Sequence, residues 1–396
     1  MLTDFFVGHK PAPYAPSHAK RALTAQPFSL RRHSRIVSAV LGYTLLGSVL
    51  APAVAATNKD EAALYKLYDV LTSQLLSDRP LEESLVAAFP IKRPISYFEQ
   101  QFNVETDSAK LSKPDQSISP DEWKAIQNSD ITAYSESGNI SYTLMDLDND
   151  GQRDLIIESY IGGTGLFSYT GVLKRDGEQF VADADAAPED DSFMPGELFT
   201  ENGRGANQWS TWLDIDGQIY ALFFDGTFSQ EKFYLLRPFH HTAEVPVITV
   251  SYKTEFTGVT PPDKRARTNP AAYVDQAKLF SELGNMQNTK TVATDVPTPL
   301  CPVPADTAPE DLGSYSIGSA LHYSVDGIGT IPVWAESSCY VGSVYSYFGL
   351  APGARRAEAQ ILLRDPYTPD SEELSEFTVW GVRKLHTMAV GWEKLY

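Results

Sequence analysis

From residue 57 onward the apolar positions first fall at helical steps. Leu64, Leu67, Tyr68, Leu71 and Leu75 recur every three or four residues, Asp60 and Glu61 sit in the first turn, and Thr57 or Asn58 can cap. That spacing predicts a helix over 57–77. A second short helix is expected over 80–88, opened by Pro80 and ended by Pro90. A third starts at Ser119-Pro120-Asp121-Glu122 and carries Trp123 and Ile126, and the polar stretch 103–118 before it reads as loop.

Near Asn139 the period shortens to two. NISYTLMDL, DLIIESYI, LFSYTGVLKR, QIYALFFDG, EKFYLLRPF and VPVITVSYKTEF are rich in β-branched and aromatic residues and are separated by turn residues. They predict an antiparallel meander. Another helix is expected over 270–283, with Gly284 just past its end. Residues 285–313 hold five prolines and read as a linker or an extended strap. Strand-like segments return over 314–396: SALHYSV, IPVWAE, AQILLRD, FTVWGVRKL and HTMAVGWEKLY. The fold class expected is α+β. It comprises a small helical N-terminal unit (57–135), a β-rich domain (136–284), the proline-rich segment (285–313) and a β-rich C-terminal segment (314–396).

The first 56 residues have a different character. The uncharged run IVSAVLGYTLLGSVL at 36–50 follows Arg31, Arg32 and Arg35, and small residues at Ala53 and Ala55, or Val54 and Ala56, offer a cleavage site. A basic region, a short apolar core and an A-x-A site describe a secretory signal peptide. The run of 15 residues falls short of the roughly 20 that span a bilayer. An uncleaved signal anchor is the alternative. Arg31-Arg32 fits a twin-arginine signal poorly, because Leu30 and His33 flank it. The expected address is the periplasm or the cell exterior, with no membrane insertion once the signal is cleaved.

Charge narrows the choice of partners. The whole chain of 396 residues carries 32 Lys and Arg against 51 Asp and Glu, and residues 57–396 alone carry 26 against 50, a net charge of −24. Such a surface repels nucleic acid and anionic lipid and suits cations, a basic protein or a cell-surface ligand. Two cysteines, Cys301 and Cys339, form an even count in a chain expected to be exported, which points to one disulfide.

The densest chemistry lies in DLDNDGQRDL at 146–155. Asp146, Asp148, Asp150 and Asp154 occupy positions 1, 3, 5 and 9 of a loop whose sixth residue is Gly151. Calcium takes about six to eight oxygen ligands, and alternating carboxylates on a tightly turning backbone converge on one point. An EF-hand needs a glutamate at position 12, where this chain has Ile157, and Glu158 comes one residue late. The following LIIESYI also favours a strand over an exiting helix. The pattern instead resembles the calcium loops of integrin-α FG-GAP and VCBS-type repeats, D-x-D-x-D-G-x-x-D ahead of a hydrophobic strand. That resemblance covers about 40 residues and implies a loop joining two strands of a sheet. It implies ligation by Asp146, Asp148, Asp150 and Asp154, and by the carbonyl of Gln152. The full motif occurs once. A weaker echo, DIDGQIYALF at 214–223, repeats DNDGQRDLII at 148–157 with Trp212 and Tyr220 in place of Asp146 and Asp154.

No catalytic signature accompanies this loop. G-x-S-x-G, HExxH, P-loop and C-x-x-C patterns do not occur, and GSYSIG at 313–318 has the wrong spacing for a nucleophile elbow. His240 and His241 adjoin a strand, where neighbours point to opposite faces, so they do not share a metal easily. Trp209 and Trp212 are spaced to lie on opposite faces of a strand, so at least one is expected in the core. The acidic run 181–191 reads as solvated loop and GGTGLF at 162–167 as a hairpin turn. The function expected is therefore an exported calcium-binding protein of non-enzymatic type, a binder or inhibitor with an acidic surface for a basic partner. The alternative is a secreted, calcium-stabilised hydrolase acting on polysaccharide or peptide.

Overall fold

A computed structural model gives the structure of the chain. It describes residues 51–75, 80–102, 117–129, 131, 138–162, 166–182, 194, 196–203, 206–240, 242–260, 270–288, 298–315, 325–347, 355–368 and 375–395. The chain divides into two compact units, Met1–Lys59 and Asp60–Tyr396. In the first, the described residues are helical; the run 36–50 lies outside the described residues. No helix among the described residues is long and apolar enough to cross a membrane.

The protein is β-rich, with helices concentrated near its N-terminus. Helix α1 spans Ala51–Gln74, six residues earlier than the spacing predicts, because the alanine-rich segment before Thr57 is itself a good helix former. Thr57 and Asn58 therefore lie inside the helix and not at its start. Helix α2 (Leu81–Ala88) and helix α3 (Pro120–Asn128) stand where expected. Ser119 caps α3 in a reciprocal capping box with Glu122. The helix expected over 270–283 divides in two. A 3-10 turn at Pro270–Tyr273 leads to Val274, which bridges Ala335, and Asp275 then starts helix α4 (Gln276–Asn288) by accepting the Lys278 N–H. Gly284 lies inside this helix, not beyond it, since buried Leu279 and Leu283 hold the segment to the core.

Strands β1 (Ser96–Phe102), β2 (Gly138–Met145), β3 (Asp154–Gly162), β4 (Phe167–Asp176), β5 (Gln179–Val181) and β6 (Glu197–Asn202) make an antiparallel sheet in the order β1-β2-β3-β4-β5, with β6 also on β4. Strands β7 (Asn207–Ile215), β8 (Gln218–Gly226), β9 (Gln230–Leu236), β10 (Val245–Thr260), β11 (Val325–Ala335), β12 (Ser338–Tyr347), β13 (Arg356–Arg364) and β14 (Ser375–Glu393) make a second, ordered β11-β12-β13-β14-β10-β9-β8-β7. The meander expected over 139–260 thus splits between two sheets after β6. Strands from both sides of the proline-rich segment meet in one sheet, because β10 pairs with β14 over most of its length. The segments FTVWGVRKL and HTMAVGWEKLY form one continuous strand that ends at Glu393.

Alternation explains the layering. On β7 and β8, Leu213, Ile215, Tyr220, Leu222 and Phe224 face α1 and α2, while Trp212, Ile219, Ala221 and Phe223 face the first sheet. Ile156, Val172 and Phe199 meet them from that sheet, with Phe199 stacked on Phe223 at 5.2 Å between ring centres. The outer face of the first sheet, with Tyr142, Leu144 and Ile157, is covered by α3 through Ala125 and Ile126. Helix α4 covers the C-terminal half of the second sheet. Trp209 and Trp212 do lie on opposite faces: Trp212 is buried between the sheets and Trp209 stacks on Phe224 on the other side. Cys301 and Cys339 form a disulfide that ties the 298–315 strap to β12.

Candidate metal centre

The loop between β2 and β3 closes a hairpin whose last rung is Met145 opposite Asp154. Its backbone folds as the spacing demands. Gly151 has φ of 85° and Asn149 of 69°, the left-handed region that glycine enters freely and asparagine tolerates. The Asp146 carboxylate accepts the N–H groups of Asn149 at 2.8 Å and Gly151 at 3.2 Å, while Asp148 accepts that of Asp150 at 3.2 Å. These bonds turn the carboxylates inward. Asp146, Asp148 and Asp154 bring one oxygen each within 4.8 Å of one another.

Asp154 anchors the cluster. It is fully buried at the start of β3, and its two oxygens accept the N–H groups of Leu147 at 3.0 Å and Arg175 at 2.9 Å. Burial, which outweighs the two backbone donors, and the nearby charges of Asp148 and Asp150 together bring its carboxyl up to about 7. A cation placed among these oxygens reverses that penalty. The donor set consists of carboxylate oxygens without histidine or cysteine, which fits a hard cation and not a thiolate- or imidazole-seeking one. Asp150 lies outside the trio; it is exposed, and its Oδ1 accepts the Gln152 N–H at 2.8 Å. Gln152 is exposed as well.

Two cations border the cluster. Lys174 on β4 pairs with Asp148, and that contact raises its ammonium above the ordinary lysine range. Arg93 donates to the Asp146 carbonyl, to Asn149 Oδ1 at 2.8 Å and to the Gly217 carbonyl at 2.8 Å, with Asp214 3.8 Å away. The turn at 214–217 is the second copy of the sequence echo, so the two copies meet in space through Arg93 and through Asn149 Nδ2, which donates to Gly217 O at 3.0 Å. On the other flank Arg153 pairs with Glu122 at 2.7 Å and donates to Ser117 O, tying the loop to α3. Arg93 and Lys174 were invisible to sequence reasoning. The one signal that could have found part of this arrangement was the repeat of D-x-D-G 66 residues apart.

The remaining candidates do not converge. His240 is half-buried, His386 exposed on β14, and His241 and His322 lie outside the described residues. Most of the acidic run, 183–191, also lies outside them, as do 163–165 of GGTGLF and 316–318 of GSYSIG. The ends of β3 and β4 on either side of 163–165 pair as a hairpin does. No protein family, curated protein or solved structure matches the chain.

Proposed function

We propose that the protein is an exported calcium-binding protein of non-enzymatic type, a binder or inhibitor whose acidic surface takes a basic partner. The observation that carries the metal part of this reading is the convergence of Asp146, Asp148 and Asp154 around a buried anchor. The spacing resembles an FG-GAP or VCBS-type calcium loop, in which Asp150 and the Gln152 carbonyl complete the ligand set. In this reading calcium serves the scaffold. It neutralises the trio at the point where Arg93 joins the β2–β3 loop to the β7–β8 turn, and so braces the two sheets against each other. The disulfide and the apolar run at 36–50 support export. The net charge of −24 over residues 57–396, with no catalytic signature beside it, supports a binder over a hydrolase.

The test is a calcium titration of the purified chain followed by melting temperature. At a calcium concentration about 100 times the dissociation constant, the folded state gains about 2.7 kcal/mol. Asp148→Ala combined with Asp150→Ala abolishes that gain. Identical melting in calcium and in chelator overturns the reading.

A further inference from the structure

The eight-stranded sheet narrows at its middle. Strand β9 pairs with β10 only as far as Ser251, with one further bond from Tyr252 N–H to Ser229 O at 2.8 Å. On the other side β13 pairs with β14 only as far as Val382, with a last bond from Arg383 N–H to Arg355 O at 2.7 Å. Between these limits three rungs, Tyr252 with Leu385, Lys253 with Lys384 and Thr254 with Arg383, carry the sheet from one half to the other. The register slips on both sides of them, between Ser251 and Tyr252 and between Phe256 and Gly258, leaving His386 and Thr257 as bulge residues on opposite strands. Bulges bend strands and weaken the ladder locally. The cores divide at the same place: Tyr252 packs with α1 and α2, and Phe256 with α4.

The inner face of this waist holds a charged group in an otherwise apolar setting. Arg383 and Glu231 are almost completely buried and pair at 3.0 Å. Tyr252 donates to the other Glu231 oxygen at 2.6 Å, and the guanidinium lies 3.8 Å from the Tyr252 ring centre. The three residues come from β9, β10 and β14, so the contact crosses the waist. Nε and Nη2 of Arg383 are buried without an acceptor. Nothing in the closed arrangement satisfies them, whereas water would if the strands parted. On the outer edge a side-chain amide replaces the missing strand: Gln287 of α4 accepts the Thr254 N–H at 2.7 Å and donates to its carbonyl at 2.9 Å.

We propose that this waist is a hinge between the two halves of the eight-stranded sheet, held shut by the Arg383–Glu231 pair and by Gln287. A buried ion pair is a poor source of net stability, but parting its members leaves an uncompensated buried charge, and in this waist that cost selects the closed arrangement. The two dry guanidinium donors bias the waist toward opening, and the ion pair with its tyrosine opposes them. The hinge needs no metal and does not depend on the calcium reading.

The test labels the full chain with spin probes at Ala62→Cys on α1 and Ala277→Cys on α4, both exposed and one on each half. Electron–electron distance distributions are then compared among variants. The parent gives one narrow distance. Glu231→Gln and Gln287→Ala each add a second population, and amide exchange at residues 252–254 and 383–385 speeds up at least tenfold relative to β8. Replacing the pair with apolar groups, Glu231→Leu with Arg383→Met, returns one narrow distance, because it removes the dry donors as well. If Glu231→Gln fails to fold, Gln287→Ala decides alone. A single unchanged distance with unchanged exchange in a folded Gln287→Ala chain overturns the hinge.

Discussion

Gly381 tests the central seam of the second sheet more sharply than any other single position. It lies on β14 between Phe256 of β10 and Ala357 of β13. A Cβ added there would stand 2.2 Å from the Glu255 carbonyl oxygen and 2.7 Å from Phe256 Cα. Both are backbone atoms held in a ladder, so neither can swing aside. Restoring ordinary contact of about 3.4 Å requires β10 and β14 to separate by about 1 Å, at the upper end of overpacking costs, about 3 kcal/mol or more. Against this stands the gain of about 0.5–1 kcal/mol from stiffening the unfolded chain, since the glycine has no positive φ to preserve. The clash wins. Gly391, farther along the same strand, supplies the control: its added Cβ would sit 4.0 Å from Val247 Cγ1, an ordinary contact, so Gly391→Ala keeps only the gain. For the roughly 260 described residues the unfolding entropy is about 0.55 kcal/mol per degree, so the net loss of about 2 kcal/mol lowers the melting temperature of Gly381→Ala by about 4 °C, and Gly391→Ala raises it by about 1 °C. Calorimetry on the two variants gives the answer. Equal melting temperatures would refute the register assigned to β10 and β14.

Other consequences are quicker to state. Burial alone would raise the Glu122 carboxyl, but Arg153 and the Ser119 backbone N–H outweigh it and hold it at about 2, below its ordinary value of 4.5. The depressed value means that its stabilisation is complete above pH 4.5 and is lost as pH falls toward 2, so Glu122→Gln removes about 2 kcal/mol at neutral pH and flattens the acid limb of a stability–pH curve. Cys301→Ser with Cys339→Ser opens a loop with a sequence separation of 38 and costs about 3–4 kcal/mol, read from urea unfolding. Non-reducing peptide mapping should recover the linked pair, and two free thiols would refute it. Tyr220→Phe removes the 2.9 Å bond to buried Asp60 but leaves Arg237 beside that carboxylate, so it costs about 1–2 kcal/mol, and a loss below 0.3 kcal/mol would show that Asp60 is held by other means.

Much of the local structure was legible in the sequence. The run Ser119-Pro120-Asp121-Glu122 marked the start of α3, and the β-branched runs at 139–162 marked the hairpin that carries the acidic loop. Three of the four loop aspartates converge as their spacing suggests. Strand β1 went unread because Glu99, Gln100 and Gln101 interrupt its alternation, and β5 and β6 are too short and polar to announce themselves. The early start of α1 and the break at Val274 show the limits of periodicity at element ends, where a run of alanines or one bridging contact decides.

What the sequence determined alone was whatever a window of ten residues encodes: period, caps, turns and the inward curl of DLDNDG. Each depends on neighbours along the chain, so each can be read there. Only the tertiary structure decided that the meander divides into two sheets, that β10 takes β14 as its partner across more than 100 residues, and that Arg93 stands between two acidic turns. Strand pairing is set by which apolar faces bury each other, and the pairing of distant segments leaves no periodic trace in either. The burial of Arg383 follows the same logic: its place on β14 gives it the inward parity, but only the ends of β9 and β13 make that point a waist.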